Sequence, residues 1–126
     1  MDESFGKEYK LCSKKIIDQI FSEGKVVKEY PFFLRYLPAQ LSTPKTFQLV
    51  ISVPKAKFKK AVDRNRIKRL IRESVRKKKY LLESELSKQE FQLALFIVYT
   101  ETKEETYQKI SDKIEVLFLR LVKELK

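Results

Sequence analysis

The 126-residue chain has no histidine, one cysteine and two glycines. A single cysteine excludes an intrachain disulfide, and the lack of histidine also excludes the Cys and His ligand sets of zinc sites. Serine nucleophiles have no histidine to activate them, and two separated glycines cannot form a phosphate-binding loop. The carboxylates lie in polar runs rather than in apolar surroundings that would pair them for acid-base chemistry. If the chain belongs to an enzyme, we expect the reactive groups to lie elsewhere.

Long apolar runs are also lacking. The longest, LALFIVY at residues 93–99, has seven residues, whereas a membrane-spanning helix needs roughly 20. The first ten residues, MDESFGKEYK, are charged and contain no apolar signal core. These features predict a cytoplasmic protein without a membrane partner.

Positive charge is present in excess, and its location is informative. The formal net charge is +11, and residues 55–79 contain thirteen Lys or Arg against two acidic residues. This fifth of the chain therefore accounts for the whole excess, while the rest is neutral. Such a concentration favours a polyanionic partner.

Hydrophobic periodicity predicts one α+β domain over residues 1–126, with residues 1–10 flexible. A helix is predicted at 11–23, ending at Gly24, and a capping box at 102–105 precedes the last helix. The predicted elements are helices at 11–23, 58–86 and 104–125 and strands at 30–37, 47–53 and 91–99, with a short extended piece at Val26-Val27 and a loop at 38–45. Their order, α-β-β-α-β-α, describes an α-β sandwich around one sheet. The second and third strands could be parallel and joined by the basic helix in a β-α-β crossover.

The basic helix combines an apolar stripe with a cationic face. At about 100° per residue, the stripe consists of Ile67, Leu70, Ile71, Ser74 and Val75. The opposite side carries Asn65, Arg69, Arg72 and Arg76, with Arg64, Lys68 and Lys79 on one flank and Arg66 on the other. A solvated basic helix is the simpler alternative, but like charges one turn apart repel one another. This repulsion favours a surface that meets counter-charge, and the planar fork of Arg suits phosphate.

Aromatic residues offer a second possible contact with nucleic acid. Phe21, Phe32, Phe33, Tyr36 and Phe47 could stack on unpaired bases, although most of them must belong to the core. The strand YPFFLRYL alternates Phe32, Leu34 and Tyr36 on one face with Phe33, Arg35 and Leu37 on the other. Arg35 therefore indicates which face is wetter.

The segment ISVPKAKFKKAVDRNRIKRLIRESVR, residues 51–76, resembles the signature of the bacterial ribonuclease P protein subunit. A weaker resemblance extends through FSEG, FFLRYL, ALFIVY and the final helix. The resemblance implies an accessory subunit of the endoribonuclease that removes the 5′ leader from precursor tRNA. It also implies that the catalytic groups and Mg²⁺ belong to an RNA subunit, with one protein monomer per RNA, and that the crossover is left-handed.

The resemblance further implies two sets of site residues. Contacts to the catalytic RNA fall at Lys55, Lys57, Arg64, Asn65, Arg66, Lys68, Arg69, Arg72 and Arg76. A cleft for the single-stranded leader falls at Ile17, Phe21, Phe33, Arg35, Tyr36 and Ser52. The chain departs from the family pattern at Lys59-Lys60, where Gly-x is usual, and at Arg35, where Tyr is frequent. Either Arg35, through a phosphate contact, or Tyr36 could fill that place.

Two alternatives remain. A ribosomal or other structured-RNA binding protein without a processing role would have a similar charge pattern. A helix-turn-helix DNA reader is disfavoured, because the basic helix lies between two strands rather than directly after another helix.

Overall fold

The structure is a computed structural model that describes residues 5–126. It contains one four-stranded sheet, three α-helices and a short 3-10 turn at Lys7–Tyr9. In chain order the elements are α1 (Lys14–Glu23), β1 (Lys25–Glu29), β2 (Phe32–Ala39), β3 (Phe47–Ser52), α2 (Ala61–Leu86), β4 (Gln92–Tyr99) and α3 (Tyr107–Leu125). The predicted α+β fold is confirmed, and the short extended piece at Val26-Val27 is part of a full strand, β1.

The sheet has the strand order β1-β2-β4-β3. β1 pairs with β2, and β2 with β4, in antiparallel register, whereas β3 and β4 are parallel. Parallel neighbours cannot be joined by a tight turn, so α2 crosses between them. The predicted β-α-β crossover is therefore confirmed, and its left hand stays a prediction.

Alternation along the strands gives the sheet two different faces. Phe32, Leu34 and Tyr36 of β2 are buried together with apolar residues of α2 and α3, which cover one face. The opposite face carries α1, whose Ile20 is buried with Ala94 of β4 and with Leu11 and Leu41. The large core therefore lies on the side of the two long helices, and the other face stays accessible beyond α1.

All three helices begin later than predicted, at Lys14, Ala61 and Tyr107, and in two of them the position of a side-chain cap explains the start. The Ser13 side chain accepts a hydrogen bond from the backbone N–H of Ile16, and α1 begins at Lys14. Thr106 caps α3 in the same way, accepting from the N–H of Lys109. The predicted capping box at 102–105 is therefore wrong. In both helices a Ser or Thr hydroxyl one residue before the first turn determines where the helix starts.

Residues 5–10, part of the segment 1–10 that is predicted to be flexible, pack against the core, and the predicted flexibility stays a prediction. Tyr9 is buried, and its ring stacks on Phe5 with centroids 4.9 Å apart. The backbone then runs beside β3, where the N–H of Leu11 donates to the Leu49 carbonyl oxygen. An aromatic pair and a backbone bridge thus hold this segment on the core, while residues 1–4 lie outside the described residues.

None of the helices within residues 5–126 has both the length and the apolar composition needed to cross a membrane.

Candidate nucleic-acid interface

The two faces of α2 differ as the sequence predicts. Ile67, Ile71 and Val75 are fully buried in the core. Buried Ser74 donates its hydroxyl to the Leu70 carbonyl oxygen at 2.9 Å, so the stripe contains no unpaired polar group at this position. Asn65, Arg69 and Arg72 are exposed on the outer side. The apolar stripe fixes the rotation of α2 and thereby turns these side chains outward.

Three of the predicted contact residues, Arg64, Arg66 and Arg76, form side-chain hydrogen bonds within the described residues. Arg64 donates from Nη1 to the carbonyl oxygens of Phe58 and Lys59, at 2.8 and 3.0 Å. Arg66 bonds both carboxylate oxygens of Glu104, at 3.0 and 3.1 Å. Arg64 therefore holds the turn before α2 in place, and Arg66 ties α2 to the segment before α3.

Arg76 is the third, and it is half-buried rather than fully outward. Its Nε donates to Glu73 at 3.0 Å. That hydrogen bond lowers the pKa of Glu73 below its ordinary value. Because Glu73 partly neutralises Arg76, we expect Arg76 to contribute less to phosphate binding than Arg69, which lies two turns earlier.

Lys79 departs most from expectation. It was placed on a flank of the helix, yet only 1% of its surface is exposed. Its Nζ donates to the Tyr9 hydroxyl at 3.0 Å and lies 3.4 Å from Glu83. Lys79 is thus a core residue, because the N-terminal segment covers the side of α2 on which it lies.

The other predicted contact residues, together with Lys59 and Lys60, form one surface, which we call the basic face; all are exposed except Lys68, which is half-buried. Its residues form no ion pair with a carboxylate of residues 5–126, and they extend from the turn after β3 to the middle of α2. The basic face consists of Lys55, Lys57, Lys59, Lys60, Asn65, Lys68, Arg69 and Arg72. Seven positive side chains close together, without an ion-pair partner among residues 5–126, favour a polyphosphate partner.

Arg69 gives a direct test of this surface. We expect Arg69→Ala to weaken RNA binding and to reduce the slope of log K against log salt by somewhat less than one, because one phosphate contact is lost. The slope is measured by filter binding at several salt concentrations. Arg66→Ala is the matched control, and we expect a smaller change because Arg66 is paired with Glu104. An unchanged slope for Arg69→Ala would show that this side chain faces solvent in the complex.

A second surface lies on the face of the sheet that carries α1. Phe33 pairs with Lys28 of β1 on one side and with Val98 of β4 on the other, and Val98 pairs with Ser52 of β3. Paired residues of neighbouring strands present their side chains on the same face. These four side chains therefore form a row across the whole sheet, at the end where β3 leads into the basic turn.

The next row holds Arg35, which pairs with Phe96 of β4. The Arg35 guanidinium lies 5.4 Å from the ring centre of Phe21 and 5.3 Å from that of Phe33. Phe21, on α1, also packs edge-on against Phe96 with centroids 4.9 Å apart. Two rings therefore hold the Arg35 guanidinium through cation–π contacts.

We call this surface the α1 cleft; it consists of Ile17, Phe21, Lys28, Phe33, Arg35, Ser52, Phe96 and Val98. Ile17 is partly buried and packs against the sheet, which makes it an inner wall of the cleft. Phe21 lies at the rim with 51% of its surface exposed. An exposed ring beside a fixed cation can contact an unpaired base and its phosphate together.

Tyr36 does not belong to the α1 cleft. It lies on the opposite face of the sheet, 3% exposed, and its hydroxyl donates to Glu124 at 2.8 Å. Burial and this hydrogen bond raise the pKa of Tyr36 to about 12. Strand alternation therefore decides between the two predicted residues: Arg35 faces the cleft, and Tyr36 faces the core.

Replacing Tyr36 with phenylalanine tests that placement. We expect Tyr36→Phe to leave RNA affinity at neutral pH unchanged. The pKa of Tyr36 rises on folding from 10.0 to about 12, so its stabilising contribution is complete below pH 10 and is lost as pH rises to about 12. The variant should therefore lose less free energy of unfolding across this range, as measured by urea unfolding at each pH. A marked loss of RNA affinity at neutral pH would show that Tyr36 contacts RNA and would contradict its placement in the core.

Sequence reasoning missed Lys28, Phe96 and Val98. The strand that carries Phe96 is almost continuously apolar, so alternation could not show which of its side chains face α1. Only the pairing of Arg35 with Phe96 identifies that face. Lys28 was missed because β1 was predicted only as a short extended piece.

Within residues 5–126, no group of three or more Asp, Glu, Cys or His side chains is placed to hold a metal ion.

Comparison with known proteins gives consistent results. The family model for ribonuclease P matches residues 5–122. The ribonuclease P protein component of Porphyromonas gingivalis is 34% identical over 84 residues, which span 67% of this chain and 61% of that protein. The Nitrosococcus oceani component is 42% identical over 78 residues, spanning 62% of this chain and 63% of that protein.

A solved structure shares the fold. The RNase P protein of Staphylococcus aureus superimposes with a TM-score of 0.66 and 24% identity, covering 91% of this chain and 95% of that one. The architecture around the α1 cleft and the basic face is therefore that of a known fold.

Proposed function

Because the chain belongs to the ribonuclease P protein family, we propose that it is the protein subunit of a ribonuclease P. In this role it binds a catalytic RNA and the 5′ leader of precursor tRNA, and it assists the hydrolysis that releases the leader. The basic face contacts the catalytic RNA, and the α1 cleft holds the leader. We place this activity in the cytoplasm, with one protein per RNA.

One observation carries the proposal: two RNA-compatible surfaces of different chemistry are joined at one end of the sheet. The row containing Phe33 and Val98 ends at Ser52 on β3. The chain then passes through the basic turn, residues 53–60, into α2 on the opposite face. A protein with this layout can contact a structured RNA and a single strand at the same time.

The basic face suits a folded RNA. Lys55 and Lys57 are exposed in the turn, and Arg69 and Arg72 follow at helical spacing on α2. Each guanidinium can donate two parallel hydrogen bonds to one phosphate. Exposed Asn65 adds a donor and an acceptor that suit a base edge or a ribose hydroxyl. The charge would supply most of the binding free energy, and the rigid helix would fix the orientation of the side chains toward the RNA.

The α1 cleft suits an unpaired strand. The bases of a duplex are stacked on one another, so only a single strand can offer a base to the ring of Phe21. Arg35, held between Phe21 and Phe33, lies where the backbone of such a strand would pass. A fixed cation loses little conformational freedom on binding phosphate. The leader would thus be held by ring stacking and charge, with little dependence on base sequence.

The protein's contribution is binding and positioning. The chain contains no histidine that could act as a base. We assign Mg²⁺ and the chemical step to the RNA subunit, where bound metal would activate the attacking water and stabilise developing charge. The protein raises the occupancy of the productive complex by neutralising phosphates and by holding the leader.

Reconstitution tests the proposal. Purified protein added to the cognate catalytic RNA should accelerate cleavage of precursor tRNA at low Mg²⁺ concentration, where RNA alone is slow. The products, mature tRNA and free leader, are separated on a denaturing gel. Because positive charge alone could help, the control is a lysine-rich peptide of matched charge, which should not reproduce the effect.

No acceleration over RNA alone would overturn the proposal. If the chain still bound the catalytic RNA tightly, it would be a structured-RNA binding protein without a role in processing.

A further inference from the structure

A pocket lies on the side of α2 away from α3, between the N-terminal segment and the outer edge of β3. Its volume is about 250 Å³. Its walls include the apolar side chains of Phe5, Leu11 and Ile51, and cations from two elements line it as well: Lys10, Lys68 and Arg72. None of its lining residues is acidic. The pocket thus combines an apolar wall with a cluster of three positive charges.

Packing holds these walls in place. The Arg72 guanidinium lies 5.3 Å from the ring centre of Phe5, which stacks on buried Tyr9. The hydroxyl of Tyr9 donates to Glu83 at 2.7 Å and accepts from Lys79. A continuous series of contacts therefore joins Arg72 to the core, so the pocket does not depend on a free loop.

Two of the pocket's cations, Lys68 and Arg72, also belong to the basic face. We propose that the pocket takes one unpaired nucleotide of the RNA that the basic face contacts, an inference that rests on the proposed function. The phosphate lies among Lys10, Lys68 and Arg72, and the base lies against Phe5, Ile51 and the plane of Arg72. Proteins recognise unpaired bases by this combination of apolar or aromatic contact, guanidinium stacking and phosphate neutralisation.

Size limits what can enter. Pockets for drug-sized ligands have volumes of about 300–1,000 Å³, and this one is smaller, at about 250 Å³. This size suits one base better than a base pair. An RNA that uses the pocket must therefore present an extruded or loop nucleotide beside the helix that α2 contacts.

The first experiment uses the full chain without RNA. Adenosine 5′-monophosphate is titrated into ¹⁵N-labelled protein, with adenosine and inorganic phosphate as separate probes. We expect the monophosphate to cause saturable chemical-shift changes at the amides of Lys10, Leu11 and Ile51. Adenosine alone and inorganic phosphate alone should each bind more weakly. If phosphate alone reproduces the shifts and their midpoint, or if no probe shifts these amides, the proposal is overturned.

Variants of the lining residues test which side chains of the pocket bind the monophosphate. Lys10 is exposed, so Lys10→Glu should fold and weaken monophosphate binding by at least about tenfold, the loss expected for one charge-assisted hydrogen bond. Phe5→Ala should weaken the monophosphate more than inorganic phosphate, because it removes an apolar wall. Leu119→Ala, on the exposed side of α3, is the control and should bind as the parent does. Equal binding by Lys10→Glu and the parent would place the nucleotide elsewhere.

A second experiment distinguishes an RNA nucleotide from a free one. Equilibrium dialysis measures radiolabelled monophosphate bound to the protein before and after addition of one equivalent of catalytic RNA. Loss of binding on adding RNA supports an RNA nucleotide in the pocket, and undiminished binding overturns that assignment. Since the titration contains no RNA and no cleavage step, its failure would leave the reconstitution test standing. Failure of reconstitution would likewise leave the titration result intact.

Discussion

Replacing Phe21 with alanine is expected to weaken binding of precursor tRNA by roughly five- to 150-fold, while mature tRNA binds unchanged. The range corresponds to about 1–3 kcal/mol, the contribution of one base stacked on an aromatic ring. Phe21 contacts Arg35 and Phe96 but is half exposed at the rim of the α1 cleft, so part of its ring is accessible to a base. Mature tRNA has no leader and gains nothing from that ring. Affinities of both RNAs for the reconstituted enzyme, measured by gel shift, provide the comparison.

Two controls make the result specific. Leu119→Ala removes an equally exposed apolar side chain from α3, on the other side of the molecule, and should bind both RNAs as the parent does. Circular dichroism should show that Phe21→Ala keeps its helices, because Ile20 still anchors α1. Equal losses of affinity for precursor and mature tRNA would place Phe21 in the fold rather than in the leader contact.

The second large effect concerns stability. Lys79→Ala should lower the free energy of unfolding by about 2–4 kcal/mol. It removes three buried methylenes, each worth about 0.8 kcal/mol, leaves a cavity, and removes the Nζ that bonds the Tyr9 hydroxyl. Urea unfolding followed by circular dichroism measures the loss. Lys79→Met keeps the apolar length and should lose less.

The neighbouring lysine supplies a matched comparison. Lys78 bonds Glu115 at 2.9 Å near the surface, and its pKa is raised by that hydrogen bond. Because solvent screens this pair, Lys78→Ala should cost less than about 1 kcal/mol. If both lysine-to-alanine variants lost equal stability, Lys79 would not be the core residue that its burial indicates.

The basic helix was the most predictable part of the fold. Its stripe of Ile67, Ile71 and Val75 has the helical period, and burying that stripe fixes which arginines point outward. Alternation in β2 likewise indicated that Arg35 lies on the more exposed face. In both elements the face on which a residue lies follows from the spacing of apolar residues along that element, and this spacing can be read directly from the sequence.

Contacts between distant segments were less predictable. Lys79 is buried because Tyr9, seventy residues earlier, covers it. Phe96 belongs to the α1 cleft because β4 pairs with β2 in a register that its uniformly apolar sequence does not reveal. The pairing of Arg66 with Glu104 depends in the same way on how α2 lies beside α3. Periodicity predicts the face of an element, and tertiary packing decides what meets that face.

The bridge between Lys10 and Leu49 has a consequence for self-association. β3 is an outer strand, and an unpaired outer strand can add a strand from another molecule. Here the N-terminal segment pairs with β3 at Leu49 and takes up part of that edge. The opposite edge, β1, has only five residues and carries exposed Lys25 and Lys28. The β1 edge is short and charged, and the β3 edge is partly occupied. Both features oppose the addition of a strand from another molecule and so protect the sheet against aggregation.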